Sequence, residues 1–319
     1  MWQERNFSYT RGNMWTRSTR LQNPRALGAV CATTATGLGL LYMGAAGAPS
    51  IHLVVNAVSL VMGIAVVGVL RPAMLPSRSS AGAVVVLGGL LLATALFGVS
   101  VEGASRWIRV GGLSLQISLI VLPAMLVAFA RDRGLLATTG MVLAAIALAL
   151  QPDRAMAGVL AAALAVLAMY RQDPWVMSSL AVAAVGFAVT MIRPDSLPAV
   201  PYVDQILYTS FGIHALAGIA VLGGALLLIV PAVAGLWLDP ENREVHAVFG
   251  TVWLGMVVAA ALGNYPTPLV GYGGSAILGY ALSLSVMPDK ARSAAASDQP
   301  AKERHASCTS PSSTGKVRA

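Results

Sequence analysis

A small set of ionisable side chains interrupts an otherwise apolar sequence, and their types suggest one kind of chemistry. Asp204 and Asp153 each come directly before an apolar run. The segments on the same side of the predicted membrane also carry four arginines, Arg106, Arg109, Arg154 and Arg193. A carboxylate near guanidinium groups can deprotonate a hydroxyl while the guanidinium groups bind a pyrophosphate. Asp204 is therefore the candidate general base.

A second interpretation of both carboxylates stays open. Each could cap its helix, because a carboxylate satisfies free N–H groups and suits the positive end of the helix dipole. For Asp153 the sequence favours neither interpretation. For Asp204 the nearby arginines favour function. His214, a lone histidine in an apolar run, is more typical of a packed or hydrogen-bonded residue than of a functional one.

The composition of the chain predicts that transmembrane helices position these residues. Of 319 residues, 56% are hydrophobic and 11% are charged, and the charges form short clusters between long apolar runs. Taking about 17–25 apolar residues for one crossing, the chain is predicted to be an all-α polytopic membrane protein of about ten transmembrane helices. The predicted spans are 26–46, 51–70, 82–100, 114–130, 135–150, 155–170, 176–192, 206–237, 246–263 and 270–287.

The distribution of positive charge predicts the orientation. Of the 21 lysines and arginines, only Arg106, Arg109, Arg154 and Arg193 fall in predicted outer loops. Because lysine and arginine concentrate in cytoplasmic loops, both termini are predicted to be cytoplasmic. The net charge of +8 then reflects topology and contact with anionic membrane lipid, and no soluble domain remains for binding nucleic acid.

Three regions follow from this pattern. Residues 1–25 are predicted to be a basic cytoplasmic leader and residues 26–288 the ten-helix transmembrane domain. Residues 289–319 lack hydrophobic periodicity and are predicted to be a disordered cytoplasmic tail.

Four short segments, in order, resemble the SEDS family of cell-division and cell-shape membrane proteins (FtsW, RodA and SpoVE). GASRWIRVGG at 103–112 with LQIS at 115–118 resembles the family's GATRWI-LG-FQPSE stretch. QPD at 151–153 matches its QPD, and PLVGYGGS at 268–275 resembles its LPFVSYGGSS. LPAVPYVDQI at 197–206 is similar to its LPE-HTDFIF. The similarity covers roughly residues 26–288.

The resemblance implies a peptidoglycan glycosyltransferase that polymerises lipid II at the periplasmic face of the bacterial inner membrane, together with a class B penicillin-binding protein. Asp204 falls on the family's proposed catalytic aspartate. Arg106 and Arg109 would support the undecaprenyl pyrophosphate leaving group, a task that a divalent cation could share although no ligand cluster indicates one. The other predicted substrate-binding residues lie in the matched motifs: Trp107, Gln116, Asp153, Tyr272 and Ser275.

The chain also departs from the family pattern. Leu119, Leu122, Gly212 and Ile213 stand at positions where the family carries charged residues, and the outer loop before Asp204 is short. A non-catalytic membrane scaffold that binds a penicillin-binding protein or another division component is therefore the alternative. A transporter of lipid-linked substrates is disfavoured, because the predicted spans carry almost no charge.

Overall fold

A computed structural model describes residues 23–70, 77–193 and 197–288, with the side chains of 77–79 excepted. Almost all of the predicted leader and the whole predicted tail lie outside these ranges. The first helix already includes Arg25, so the described chain enters the helical region slightly before the predicted boundary.

Twelve helices are present in the described ranges. They are α1 Pro24–Ala45, α2 Ser50–Val69, α3 Ser77–Phe97, α4 Ile117–Arg131, α5 Leu135–Leu150, α6 Arg154–Tyr170, α7 Pro174–Ile192, α8 Ile206–Ile213, α9 Ala215–Leu227, α10 Val230–Leu238, α11 Arg243–Leu262 and α12 Gly274–Val286. By length and composition, 6 helical stretches could each cross a membrane, and the shorter apolar helices α4, α5, α6 and α12 complete the bundle. The predicted polytopic helical membrane fold is confirmed.

The predicted span 206–237 is not one helix. It breaks first at His214, whose Nδ1 accepts a hydrogen bond from the backbone N–H of Leu216 at 3.1 Å and so caps α9. It breaks again before α10, which has a proline in its first turn. Proline lacks the N–H that a continuing helix needs, so α9 ends ahead of it. His214 is exposed at the first break rather than packed inside a helix.

The segment between α3 and α4 forms a three-stranded antiparallel sheet, which hydropathy did not predict. The strands are β1 Val99–Val101, β2 Ala104–Val110 and β3 Leu113–Gln116, in the order β1-β2-β3. Gly111 and Gly112 have φ values of 56° and 85° and form the two-residue turn between β2 and β3. Positive φ at both positions is typical of the tight turns that join antiparallel strands. The helix in the predicted span 82–100 therefore ends earlier, at Phe97, and the helix in the predicted span 114–130 begins later, at Ile117.

The loops of the bundle gather at two ends. At one end, called here the sheet end, the sheet lies with the end of α1 and the starts of α4, α8 and α12. At the other end Arg171 pairs with Glu244 at 2.9 Å, and Arg131 Nη1 donates to the carbonyl of Val286 at 2.7 Å. Both limits of the described chain, 23 and 288, lie at this second end.

Candidate functional site

A cavity of about 400 Å³ opens at the sheet end, between the sheet, the loop 197–205, the loop 263–273 and the start of α12. All of the predicted site residues except Asp153 line it. They are Asp204, Arg106, Trp107, Arg109, Gln116, Tyr272 and Ser275. The sequence separates these residues by up to about half of the chain, and the fold brings them to one space.

Asp204 is placed by pairing between the two loops. It forms an isolated antiparallel bridge with Pro266, and the N–H of Thr267 donates to the carbonyl of Val203 at 3.0 Å. Its carboxylate Oδ2 accepts a hydrogen bond from the N–H of Val200 at 2.8 Å. Gln205, not Asp204, is the N-cap residue of α8, and no side chain caps that helix. The capping interpretation of Asp204 therefore does not describe this structure.

Burial makes the Asp204 carboxyl a weaker acid than an ordinary aspartate. The residue is only 8% exposed. Loss of solvation raises its pKa above the ordinary value for aspartate, and the hydrogen bond from Val200 opposes that shift by stabilising the ionised form. A carboxylate with a raised pKa is a stronger base than one in water, which suits removal of a hydroxyl proton.

The two predicted arginines occupy different settings in the cavity wall. Arg106 is buried, and its guanidinium donates to the backbone carbonyls of Gln151, at 3.4 Å, and of Pro152. It therefore also holds the turn between α5 and α6. Arg109, further along β2, is exposed at the rim. Arg109 is thus the more accessible of the two guanidinium groups.

Asp153 lies behind the cavity rather than in its wall. It is fully buried, caps α6 by accepting from the N–H of Met156 at 3.2 Å, and accepts from Gln116 Nε2 at 3.1 Å and Ser118 Oγ at 3.0 Å. Gln116 in turn donates its backbone N–H to Ser275 Oγ at 3.1 Å. The capping interpretation describes Asp153. Its carboxylate also anchors the amide of Gln116 and the hydroxyl of Ser118 next to the cavity.

Several cavity residues were not predicted. Ser114, Asn264, Tyr265 and Thr267 supply polar groups to the wall. The last three fall between the final two apolar runs, so their polarity was the available signal. Among the positions that depart from the family pattern, Leu119 lines the cavity and Leu122 is buried in the core. Gly212 and Ile213 are exposed at the end of α8 and do not line the cavity.

Within the described ranges no three or more histidine, cysteine, aspartate or glutamate side chains come together as a metal site would require. The acidic cavity residue is Asp204, and the other oxygen donors nearby are hydroxyl and amide groups.

Comparison with known proteins places the fold. No family model and no curated protein sequence matches the chain. The crystal structure of the rod shape determining protein RodA from Thermus thermophilus matches with a TM-score of 0.58 at 20% identity, covering 81% of this chain and 93% of that one. A mutant of the same RodA gives a TM-score of 0.57 at 22% identity, covering 81% and 94%.

A third structure, described as structural coordination of polymerization and crosslinking by a peptidoglycan synthase complex, matches with a TM-score of 0.55 at 22% identity. It covers 81% of this chain and 95% of the matched chain. These similarities extend over nearly the whole length of the matched chains. The chain therefore has the RodA fold, and its resemblance to the SEDS family is confirmed at the level of the fold.

Proposed function

We propose that this protein is a SEDS-type peptidoglycan glycosyltransferase that polymerises lipid II at the periplasmic face of the bacterial inner membrane. The observation that carries the proposal is the shared cavity. A buried carboxylate, Asp204, and two guanidinium groups, Arg106 and Arg109, line one space at the end of a membrane bundle. General-base chemistry and support of a pyrophosphate leaving group need this combination.

In the proposed reaction Asp204 accepts the proton of the acceptor sugar's hydroxyl. The hydroxyl oxygen forms a bond to the anomeric carbon of the donor sugar, and the bond from that carbon to the undecaprenyl pyrophosphate breaks. The pyrophosphate leaves with the bonding electron pair. Guanidinium groups stabilise the growing negative charge, and the exposed Arg109 is the better placed to follow the leaving group. Trp107, Gln116, Tyr272 and Ser275 contact the substrate from the walls.

The partner in this proposal is a class B penicillin-binding protein. The similarity to a chain from a peptidoglycan synthase complex, whose description joins polymerization with crosslinking, supports it. At 22% identity this similarity establishes a shared fold only, and the penicillin-binding protein partner is therefore proposed.

A non-catalytic scaffold that binds a penicillin-binding protein or another division component is the second candidate. One cavity residue favours it. Leu119 presents an apolar side chain to the cavity at a position where the family pattern carries a glutamate. A cavity that has lost a charged group retains the fold but has fewer ways to orient a polar substrate.

Polymerisation of lipid II by purified protein separates the two functions. The protein is reconstituted with a class B penicillin-binding protein whose crosslinking activity is blocked, and glycan strands are resolved on gels. We expect polymer from the wild type and a loss of at least about 100-fold in Asp204→Asn, because general-base catalysis contributes about that factor or more.

The matched control is Asp173→Asn, which changes a carboxylate that caps α7 at the other end of the bundle. It should polymerise as the wild type does. Equal activity in Asp204→Asn and wild type would exclude Asp204 as the base. Absence of product from the wild type with every class B partner tried would favour the scaffold.

A further inference from the structure

Helix α2 buries an asparagine among otherwise small or apolar surroundings. Of its residues, all of which are described, only Asn56, Ser59 and Gly63 are buried, and they follow one another on a single face. Ser59 and Gly63 contact α12 closely: a Cβ added at Gly274 would lie 2.3 Å from Ser59 Oγ. A buried amide in a membrane helix is unfavourable unless it is hydrogen-bonded, and it commonly marks a functional position.

Both polar atoms of the Asn56 side chain bond to the loop that forms one wall of the cavity. Nδ2 donates to the carbonyl of Gly271 at 2.8 Å, and Oδ1 accepts from the N–H of Gly273 at 3.1 Å. These partners flank Tyr272, a cavity residue more than two hundred positions away in the chain. Because one partner only accepts and the other only donates, the amide has a single orientation that satisfies both.

Tyr272, which lies between these two hydrogen-bonded glycines, makes contacts of its own with α2 and with the loop 197–205. The ring of His52, one turn earlier on α2, stacks on the ring of Tyr272 with centroids 3.8 Å apart and planes inclined by 13°. The N–H of Tyr272 donates to the carbonyl of Tyr202 at 2.7 Å, in the loop that carries Asp204. Tyr272 is therefore fixed to α2 by its flanking backbone and its ring, and to the Asp204 loop by its N–H.

We infer that Asn56 is a positioning residue for the substrate cavity, and that His52 assists it by stacking on Tyr272. The segment it holds is rich in glycine, which leaves the backbone many accessible conformations unless side chains restrain it. The amide of Asn56 restrains it, so that Tyr272 and Ser275 keep their places in the wall. The consequence for catalysis rests on the proposed function; the restraint itself does not.

The restraint reaches a second side of the cavity. Ser275 Oγ accepts from the backbone N–H of Gln116, at the end of β3. A shift of the segment 271–275 would therefore also break this bond to Gln116, whose side chain is bonded to Asp153. Asn56 therefore supports the wall formed by residues 271–275 directly and the wall at the end of β3 indirectly, although it does not line the cavity itself.

Hydrogen exchange measured by mass spectrometry tests the restraint without any need for activity. We compare Asn56→Leu with Ser283→Ala, which also removes a buried long-range hydrogen bond, to Trp253 Nε1 at 3.3 Å, but at residues that do not line the cavity. We expect amide exchange in the peptide spanning 264–274 to accelerate at least about tenfold in Asn56→Leu and to stay at the wild-type rate in Ser283→Ala. Unchanged exchange of this peptide in Asn56→Leu would overturn the inference.

Steady-state polymerisation of lipid II tests the consequence. We expect the KM of Asn56→Leu to rise about tenfold while kcat changes less than about threefold, because the displaced groups contact substrate and the base is intact. Ser283→Ala should keep both values. Faster exchange with unchanged KM and kcat would overturn the role in positioning. If the wild type makes no polymer but the exchange difference appears, the proposed function fails and the restraint stands.

Discussion

The carboxyl group of Asp204 lies where its charge is unfavourable. Burial raises its pKa above the value in the unfolded chain, so the folded protein binds this proton more tightly. The contribution of this group to stability is therefore fully present below the unfolded pKa and is lost as the pH rises through the folded pKa. At neutral pH the ionised group destabilises the fold relative to a neutral side chain.

Asp204→Asn should accordingly raise the melting temperature at neutral pH and leave it unchanged at acidic pH. Asparagine keeps an oxygen that can accept from the N–H of Val200, so little else is lost. Thermal unfolding in detergent at a series of pH values measures this. A lower melting temperature for Asp204→Asn at neutral pH would contradict the argument.

Asp153 differs from Asp204 in its hydrogen bonds, because its carboxylate accepts from three donors, on Met156, Gln116 and Ser118. Asp153→Ala removes the cap of α6, leaves the Ser118 hydroxyl without its acceptor and leaves Gln116 Nε2 with only Ser118 Oγ. We expect a loss of about 2–3 kcal/mol in the free energy of unfolding. Asp173→Ala, which removes the cap of α7 at a more exposed site, should cost about 1 kcal/mol. Denaturant unfolding compares the two, and equal losses would show that the buried bonds contribute nothing beyond the cap.

At the scale of elements, the turn between β2 and β3 sets the shape of the cavity wall. Gly112 has a φ of 85°, which L-residues with branched side chains avoid, while asparagine is well suited to the first position of such a turn. We expect Gly112→Val to destabilise by about 1–2 kcal/mol and Gly111→Asn to be neutral. Thermal unfolding and polymerisation assays measure both effects, since Arg109 and Ser114 flank the turn. Equal tolerance of the two substitutions would contradict the turn assignment.

The elements that the sequence failed to predict share one cause. Hydropathy reports that a segment is apolar, and it does not separate a short strand from the end of a helix. The predicted span 82–100 therefore includes part of β1, and the predicted span 114–130 includes part of β3. The apolar run 206–237 likewise gave no sign of its breaks except Pro231. Helix Leu135–Leu150, which lies between a charged segment and a proline, was predicted at its observed limits.

The candidate site was predictable where motifs supplied it and not where the fold alone supplied it. The matched segments named Asp204, Tyr272 and Ser275, which do line one cavity. Asn56 is a polar residue in an apolar run, but the sequence does not identify its partners, because Gly271 and Gly273 come close only after α2 packs beside α12. Contacts over such separations depend on packing, which a single sequence does not reveal.

At the scale of the whole molecule, the topology follows from lipid as the solvent. Backbone groups within the hydrocarbon must be satisfied inside each segment, so apolar runs become helices, and charge between them sets their direction. Apolar attraction between helices is weak in lipid, because the acyl chains are as apolar as leucine. Close contact between small residues must then hold the bundle together.

Helices α3 and α5 meet at such a contact, and two adjacent glycines allow a matched test. A Cβ at Gly88 would lie 2.4 Å from the carbonyl oxygen of Gly140, whereas a Cβ at Gly89 would meet nothing within 4 Å. We expect Gly88→Ala to destabilise the protein by about 1–3 kcal/mol, because the two helices must separate to admit the methyl group. Gly89→Ala, one residue further along the same helix, should be neutral or slightly stabilising. Thermal unfolding in detergent compares the two variants with the wild type. Equal stability of all three would mean that the approach of α3 to α5 does not hold the bundle together.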